Sequence, residues 1–322
     1  MTAPHSPSPP GAQTDVPHDA LGEEPPAPPC VMSFNASEPT GAAGLAADVA
    51  TIAAMGSHPL PVVTSIVMRD TAEVFDMHEI DADAVVEQAR SILEDVTVSA
   101  WKVGFLGSAE GISAVAEILS DYTEVPLVAY LPNLSWMEED AQAAYLDAFR
   151  ELVLPATEVL VGNHKTLTDF LLPEWESERQ PSARELAVAA GEAGARCVLV
   201  TGIQLPDQHI DNVLASPQGA ITGEKFERFE TAFVGAGDTL SAALAALLAA
   251  GNELHAAVGE ALSFLDQSLD AGYRPGMGNV IPDRFFWALP PEDGEDGPDA
   301  APDGGADLPP EDHPPAGKRH VH

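Results

Sequence analysis

Val31–Met55 reads VMSFNASEPTGAAGLAADVATIAAM and contains a strand, a loop and a helix in that order. The apolar run Val31–Ala36 predicts a buried strand, and the spacing of apolar residues in Ala42–Met55 predicts a helix. Residues 37–48, which link the strand to the helix, are mostly small, so a ligand can approach the backbone of this loop closely. Because ligands of α/β proteins usually bind at the carboxyl ends of strands, this loop is a candidate binding site.

The same alternation of strands and helices continues along the chain. Five further short apolar runs predict strands at Val62–Met68, Ala100–Leu106, Pro126–Leu131, Val159–Val161 and Arg196–Thr201. Four helical patterns lie between them, at Ala82–Leu93, Ala109–Leu119, Asp140–Val153 and Ser182–Ala193. Continuous apolar strands separated by helices indicate βαβ units, so we predict an α/β fold whose mostly parallel sheet is covered on both faces.

The order of elements changes after Thr201. Ile210–Ser216 and Ala220–Phe229 predict a β-hairpin, because a turn sequence, Pro217-Gln218-Gly219, lies between two strand-like runs. Two Ala/Leu-rich segments, Gly237–Ala250 and Glu253–Ala271, then predict two helices.

Both ends of the 322-residue chain differ in composition from its middle. Residues 1–29 contain nine of the 29 prolines and no Lys or Arg, while residues 290–322 are rich in Pro, Gly, Asp and Glu. Such segments bury too little apolar surface to offset the entropy lost on ordering. We therefore predict a disordered tail over 1–29, one folded domain over 30–289 and a second, acidic disordered tail over 290–322. An acidic tail can bind a partner, but the simpler expectation is that it keeps the protein in solution.

The charge of the chain excludes several classes of function. With 51 Asp and Glu against 14 Lys and Arg, the net charge is −37, so no basic surface exists to bind nucleic acid or an anionic membrane. The two cysteines, Cys30 and Cys197, cannot form a disulfide scaffold. No basic residue precedes Arg69, and the longest apolar stretch is too short to span a bilayer, so we expect a cytoplasmic protein. The acidity indicates either adaptation to a salty interior or a composition bias without functional meaning.

Residues 233–240, FVGAGDTL, carry the strongest chemical signal. A Gly-Ala-Gly bend that opens into a helix presents unpaired backbone N–H groups at the positive end of the helix dipole. Gly235, Ala236 and Gly237 therefore predict an anion hole that needs no basic side chain. Asp238, in the first turn of the helix, can take a proton from a hydroxyl group beside this hole. The alternative is that Asp238 only caps its helix.

The loop at 37–48 and the bend at 233–240 together resemble the hydroxymethylpyrimidine/phosphomethylpyrimidine kinase family, within the ribokinase-like superfamily. The family's loop reads approximately G-S-D-P-S-G-G-A-G-I-Q-A-D. Matching residues in this loop are Ser37, Pro39, Gly41, Ala43, Gly44, Ala47 and Asp48. Further matches are Lys102–Ser108, Asn163, Gly202 and the glycines of the bend, and the ending Tyr273–Trp287 resembles one branch of the family. The similarity covers about 30–289. The resemblance implies a ribokinase-like three-layer α/β/α fold.

The resemblance also implies the chemistry and the ligands. Members of this family transfer the γ-phosphoryl group of ATP to 4-amino-5-hydroxymethyl-2-methylpyrimidine and then to its monophosphate, with Mg²⁺, and they commonly form homodimers. By resemblance, Asp238 is the base, and Gly44, Asp48, Arg69 and Phe105 contact the substrate. The resemblance places the nucleotide and metal-bound water near Asn163, Thr201 and Gly202. The histidines and cysteines are not spaced as metal ligands, so we expect no direct protein metal site of that kind.

Several positions depart from the family pattern. Asp238 stands where the family has cysteine, which keeps a base, as in the wider superfamily. Arg69 stands where the family has a glutamine that reads the pyrimidine. Because Arg has donors and no acceptor, it suits a carbonyl or phosphate better than an amino group. Alternatively, Arg69 pairs with an acidic neighbour: Asp70, Glu73 or Asp48.

Two further departures concern the metal and the substrate wall. Thr166 replaces the glutamate that organises Mg²⁺ in the family, and the chain has Ala129-Tyr130-Leu131-Pro132 where the family has Asp-Pro, so the wall there is remodelled. Three hypotheses therefore remain: the pyrimidine kinase that the resemblance favours, a kinase for a related alcohol such as pyridoxal, or a binding or regulatory protein that has lost phosphotransfer.

Overall fold

A computed structural model describes residues 27–206 and 208–288. One nine-stranded sheet runs through this part of the chain, with the strand order β3-β2-β1-β4-β5-β6-β7-β8-β9. The strands are β1 (Cys30–Ser37), β2 (His58–Arg69), β3 (Val74–Glu79), β4 (Val98–Val103), β5 (Leu127–Tyr130), β6 (Val159–Asn163), β7 (Cys197–Gln204), β8 (His209–Ser216) and β9 (Gly219–Glu227).

The centre of the sheet is parallel and its edges are antiparallel. Strands β2, β1, β4, β5, β6 and β7 pair in parallel as neighbours. Strand β3 pairs antiparallel with β2 at one edge, and β8 and β9 form an antiparallel hairpin at the other. The parallel strands all end at the same edge of the sheet, and the candidate site lies there.

Helices cover both faces of the sheet. They are α1 (Gly44–Ala54), α2 (Ala82–Leu93), α3 (Ala109–Ser120), α4 (Glu139–Ala148), α5 (His164–Leu171), α6 (Ala183–Glu192), α7 (Ala236–Ala249) and α8 (Leu254–Asp270). One buried cluster contains side chains of α2 to α6, and a second cluster on the other face contains those of α1, α7 and α8. The predicted α/β fold with three layers and a mostly parallel sheet is confirmed.

The sequence analysis missed two elements and misplaced several boundaries. Strand β3 escaped it because an edge strand buries little, so Val74–Glu79 carries no clear apolar pattern. Helix α5 escaped it because its eight residues show only a short apolar face. The predicted helix Asp140–Val153 is divided: α4 ends at Ala148, and Phe149–Val153 continues as a π-helical turn. The predicted hairpin is confirmed.

After α8 the chain crosses the edge of the sheet that carries the site. The backbone N–H of Gly278 donates to Thr71 Oγ1, at the turn between β2 and β3, over 3.1 Å. Val280 then forms a parallel bridge with Phe233, just before α7. This crossing segment, residues 271–284, therefore connects two loops that are far apart in the sequence.

The described chain ends shortly after this crossing. Of the described residues, 27–206 and 208–286 form one compact unit, and Trp287 and Ala288 are the last two residues of a short 3₁₀ turn. The predicted tails lie outside the described residues, apart from residues 27–29. Within the described residues, no helix is both long enough and apolar enough to cross a membrane.

Candidate active site

A cavity of about 560 Å³ opens at the carboxyl edge of the parallel strands. Its wall includes the ends of β1, β2 and β5 and the residues that begin α7. Of the predicted site residues, it brings together Gly44, Arg69, Phe105, Gly235 and Asp238. The bend at 233–240 therefore lies in the crevice, as the sequence predicted, and not elsewhere on the surface.

The bend needs both of its glycines. Gly235 has a φ of 85°, which side chains rarely adopt, and a Cβ there would lie 1.6 Å from the carbonyl oxygen of Ala42. A Cβ on Gly237 would lie 2.3 Å from Cζ of Tyr130. Because α7 starts at Ala236, the N–H groups of its first turn have no partner within the helix. The two glycines thus let Ala42 and Tyr130 lie close against the bend. The dipole of α7 favours an anion at the same place.

Asp238 does not cap its helix. The residue at the cap position is Gly235, and no side chain forms a capping hydrogen bond there. Asp238 Oδ1 instead accepts hydrogen bonds from Lys102 Nζ at 3.0 Å and from Asn35 Nδ2 at 2.8 Å. Asp238 lines the cavity while only 7% of its surface is exposed. These two hydrogen bonds therefore hold Oδ1 of the Asp238 carboxylate at the base of the cavity.

Lys102 holds two carboxylates at once. Its ammonium group lies 2.8 Å and 2.9 Å from the two carboxylate oxygens of Asp48, in addition to its bond to Asp238. Although burial acts to lower it, the pKa of Lys102 is held above its usual value by Asp48 and Asp238. The ammonium form thus persists in a fully buried position.

Asp48 lies behind the cavity and does not line it. It is completely buried, and its Oδ2 also accepts hydrogen bonds from Ser33 Oγ at 2.6 Å and Asn35 Nδ2 at 2.9 Å. Burial raises the pKa of Asp48, and Lys102 opposes this rise. The structure therefore places Asp48 as the counter-ion of Lys102, and its predicted contact with substrate stays a prediction.

Arg69 is on the wall of the cavity, at the end of β2. Its Nε donates to the carbonyl oxygen of Asp70 at 3.0 Å. Within the described residues, Arg69 forms no ion pair within 4.0 Å with Asp70, Glu73 or Asp48. The pairing alternative is therefore not what the structure shows, and the guanidinium group keeps donors for a ligand.

Gly44 and Phe105 complete the predicted substrate wall. Gly44 has a φ of 61°, and a Cβ there would lie 2.3 Å from the carbonyl oxygen of Ala36, so the first loop needs this glycine. The ring of Phe105 stacks on Tyr145, with centroids 5.3 Å apart, and meets the edge of Trp136 at 5.4 Å. Phe105 lines the cavity from this aromatic cluster.

Three groups of site residues escaped the sequence analysis. Lys102 and Asn35 gave no signal beyond their place in or near a matching motif, because their partners lie far away in the sequence. Tyr130, at the end of β5, and residues 132–136 after it line the cavity, where the altered sequence had indicated only a remodelled wall. Arg284, from the crossing segment, donates from Nη2 to the carbonyl oxygen of Ala42 at 2.5 Å. A basic side chain thus lies beside the bend, and the anion hole that needs no basic side chain stays a prediction.

The predicted nucleotide residues lie outside this cavity wall. Asn163 and Thr201 are cross-strand neighbours at the ends of β6 and β7. Asn163 Oδ1 accepts from the N–H of Thr166 at 2.9 Å and so caps α5. Gly202 has a φ of 70°, and its N–H donates to Asn212 Oδ1 at 3.1 Å. These residues share the same edge of the sheet, and their contact with nucleotide stays a prediction.

The described residues contain no cluster of three His, Cys, Asp or Glu side chains that could hold a metal ion. Thr166, at the position of the missing glutamate, offers only a hydroxyl group. A metal ion at this site would therefore take its oxygen ligands mainly from phosphate and water. Mg²⁺ commonly binds in this way, with only one or two carboxylates from the protein.

Comparison with known proteins places this site in a family. Residues 38–283 match the phosphomethylpyrimidine kinase family. A hydroxymethylpyrimidine/phosphomethylpyrimidine kinase of Streptomyces coelicolor is 30% identical over 264 residues, which cover 81% of this chain and 96% of the relative. The enzyme of the same name from Mycobacterium tuberculosis H37Rv is 31% identical over 264 residues, covering 78% and 92%.

Solved structures share the fold. An ADP complex of Bacillus subtilis pyridoxal kinase superposes with a TM-score of 0.74 at 22% identity, covering 82% of this chain and all of that one. A phosphomethylpyrimidine kinase from Clostridium difficile 630 superposes with a TM-score of 0.62 at 21% identity, covering 75% and 99%. At these identities, the two structures establish similarity of the fold.

Proposed function

Because the chain belongs to the phosphomethylpyrimidine kinase family, we propose that it transfers the γ-phosphoryl group of ATP to 4-amino-5-hydroxymethyl-2-methylpyrimidine, to its monophosphate, or to both. The relatives' names include thiamine biosynthesis proteins, which supports a role in thiamine biosynthesis. The observation that carries the proposal is that Asp238 and Gly235, the first residue of the bend, line one cavity at the start of α7.

The bend and the carboxylate suit the two halves of phosphoryl transfer. The acceptor oxygen forms a bond to the γ-phosphorus while the bond from that phosphorus to the β–γ bridging oxygen breaks, and ADP leaves. Asp238 takes the proton of the acceptor hydroxyl group, and the bend stabilises the charge on the phosphoryl oxygens. Lys102 and Asn35 bind Asp238 Oδ1, so they orient the base without blocking its other oxygen.

ATP and Mg²⁺ are the cofactors of this proposal. Solved pyridoxal kinases of the same fold bind ADP or an ATP analogue, which supports ATP as the donor. The unpaired N–H groups at the start of α7 and the positive end of the helix dipole favour an anion at the bend, which fits a phosphate group. Mg²⁺ would neutralise phosphate charge. Asn163, at the end of β6, and Thr166, in α5, are polar residues that could contact the water molecules bound to the ion.

Arg69 supports a second candidate acceptor. The guanidinium group of Arg69 has no acceptor for a hydrogen bond from the amino group of the pyrimidine. Its free N–H groups can instead donate to an oxygen on the ring. Pyridoxal carries such oxygens next to its hydroxymethyl group, and several structures of this fold are pyridoxal kinases. A kinase that accepts pyridoxal would use Asp238 and the bend in the same way.

ADP release by the purified protein tests the proposal. We expect ATP-dependent ADP release with the hydroxymethylpyrimidine, measured at low and at high salt because the chain is so acidic. Pyridoxal serves as the competing acceptor. A thermal shift with either compound but no ADP release under any condition would contradict the kinase proposal and favour a binding protein.

A further inference from the structure

Tyr130 is the last residue of β5 and lines the cavity beside the bend. A Cβ placed on Gly237 would lie 2.4 Å from Tyr130 Oη and 2.3 Å from its Cζ. The hydroxyl group therefore lies directly against the backbone of the first turn of α7. Because Tyr130, Gly235 and Asp238 line the same cavity, the hydroxyl group shares this space with the bend and the carboxylate.

The hydroxyl group of Tyr130 has no protein partner. Among the described residues, none accepts a hydrogen bond from Tyr130 Oη or donates one to it. By contrast, the hydroxyl of Tyr145, which is in the core, accepts from the N–H of Leu106 at 3.0 Å. Tyr130 Oη is not one of the buried atoms that lack a partner, so it reaches the open space of the cavity, where a ligand oxygen can accept its hydrogen bond.

The surroundings of Tyr130 keep its proton in place. Removal from water raises the pKa of the phenol, and the carboxylates of Asp238 and Asp48 raise it further. The ring also lies over Lys102, with Nζ 5.7 Å from the centroid. The hydroxyl group therefore acts as a donor and does not compete with Asp238 as a base.

A phosphoryl group in transfer needs donors from more than one side. Its charge is spread over three equatorial oxygens, whereas the N–H groups of the bend approach from one side only. In the described part of this chain, the bend has a basic neighbour in Arg284, whose guanidinium group directs three of its five N–H groups to Gly41, Ala42 and Thr239. Tyr130 Oη adds a hydroxyl donor on the cavity side of the bend.

We propose that Tyr130 is a catalytic residue that donates a hydrogen bond from its hydroxyl group to an equatorial oxygen of the phosphoryl group during transfer. This assignment rests on the proposed kinase function. No proton leaves the tyrosine, because Asp238 receives the proton of the acceptor. The competing explanation is that the ring only packs against Gly237.

Tyr130→Phe separates the two explanations because it keeps the ring and removes the hydroxyl group. We expect kcat to fall by roughly 10- to 100-fold, since the donor acts on charge that develops in the transition state. KM for ATP and for the acceptor should stay within about twofold of wild type. Tyr122→Phe is the matched control, because Tyr122 packs edge-on against Trp101 outside the cavity wall. A kcat of Tyr130→Phe equal to that of the control would overturn the assignment.

A second measurement does not depend on the acceptor. Aluminium fluoride with ADP and Mg²⁺ mimics the phosphoryl group in transfer, so it should raise the melting temperature of wild type beyond the effect of ADP and Mg²⁺ alone. We expect Tyr130→Phe to lose most of this extra rise and Tyr122→Phe to keep it. No extra rise in wild type, or an undiminished one in Tyr130→Phe, would overturn the assignment. If the rise behaves as expected but no acceptor is phosphorylated, the proposed function fails and the assignment of the donor stands.

Discussion

Lys102 is the residue on which the geometry of the site depends most. It is completely buried, yet it carries a charge that two carboxylates share. Asp48 neutralises this charge on the side away from the cavity. Asp238 accepts a further hydrogen bond from the Lys102 ammonium group at the base of the cavity. A single cation thus fixes the orientation of the base, and it does so where water cannot compensate for its loss.

Replacement of Lys102 should therefore destabilise the protein strongly. Lys102→Met leaves Asp48 and Asp238 buried without their counter-ion, so we expect the free energy of unfolding to fall by roughly 3–5 kcal/mol. Chemical denaturation measures this change. Lys165→Met is the control, because Lys165 pairs with Asp169 at the surface with 84% of its side chain exposed, and it should cost at most about 1 kcal/mol. Equal losses in the two variants would show that Lys102 is not the buried counter-ion.

At the scale of the element, helix α7 offers an internal comparison, because a glycine with positive φ flanks each end. Gly235 precedes the helix with a φ of 85°, and Gly251 follows it with a φ of 83°. A Cβ on Gly235 would collide with the carbonyl oxygen of Ala42, whereas a Cβ on Gly251 would meet nothing within 4 Å. An alanine would be strained by the positive φ at either position. Only at Gly235 would its Cβ also collide with the first loop.

Alanine substitutions at these two glycines should separate the two effects. We expect Gly251→Ala to cost about 1–2 kcal/mol of unfolding free energy, from backbone strain alone. Gly235→Ala should cost clearly more, and it should also reduce ADP release because the first loop must move away from the bend. Stability curves and turnover of both variants check this. Matching effects of the two substitutions would contradict the close contact between the loop and α7.

Elements also show where sequence reasoning succeeded. Parallel strands end at one edge of a sheet, so the loop with Gly44 after β1 could be placed at that edge from the strand pattern, whereas the bend before α7 was placed beside it by the family resemblance of the two motifs. Strand β3 and helix α5 could not be found, because β3 is an exposed edge strand and α5 is only eight residues long. Their signals are weaker than those of buried, regular elements.

At the scale of the whole molecule, the net charge of −37 should make stability depend on salt. Like charges repel one another in the folded state, and added salt screens this repulsion. We expect the melting temperature at pH 8 to rise by roughly 5 °C between 50 mM and 1 M KCl. At pH 5 the rise should be smaller, because more carboxylates are protonated. A melting temperature that is independent of salt, or an equal rise at both pH values, would contradict this prediction.

The tertiary contacts of the site were beyond the reach of the sequence. Asp238 and the bend could be predicted because their chemistry is local: a turn, a helix start and a carboxylate within four residues. Lys102 and Arg284 act through partners that are about 45 to 240 residues away, such as Ala42 for Arg284, and Tyr130 packs against the distant Gly237. No local pattern encodes such a pairing, so only the folded chain reveals which donors surround the anion hole.

The most direct test of the account is turnover by Asp238→Asn. Asparagine keeps the size of the side chain and can still accept from Lys102 and Asn35, so the fold and the affinity for ATP should be preserved within about threefold. Single-turnover formation of phosphorylated hydroxymethylpyrimidine should fall by roughly 10³-fold, because the base is lost. If the variant retained more than about a tenth of the wild-type rate, Asp238 would not be the base and the account would be contradicted.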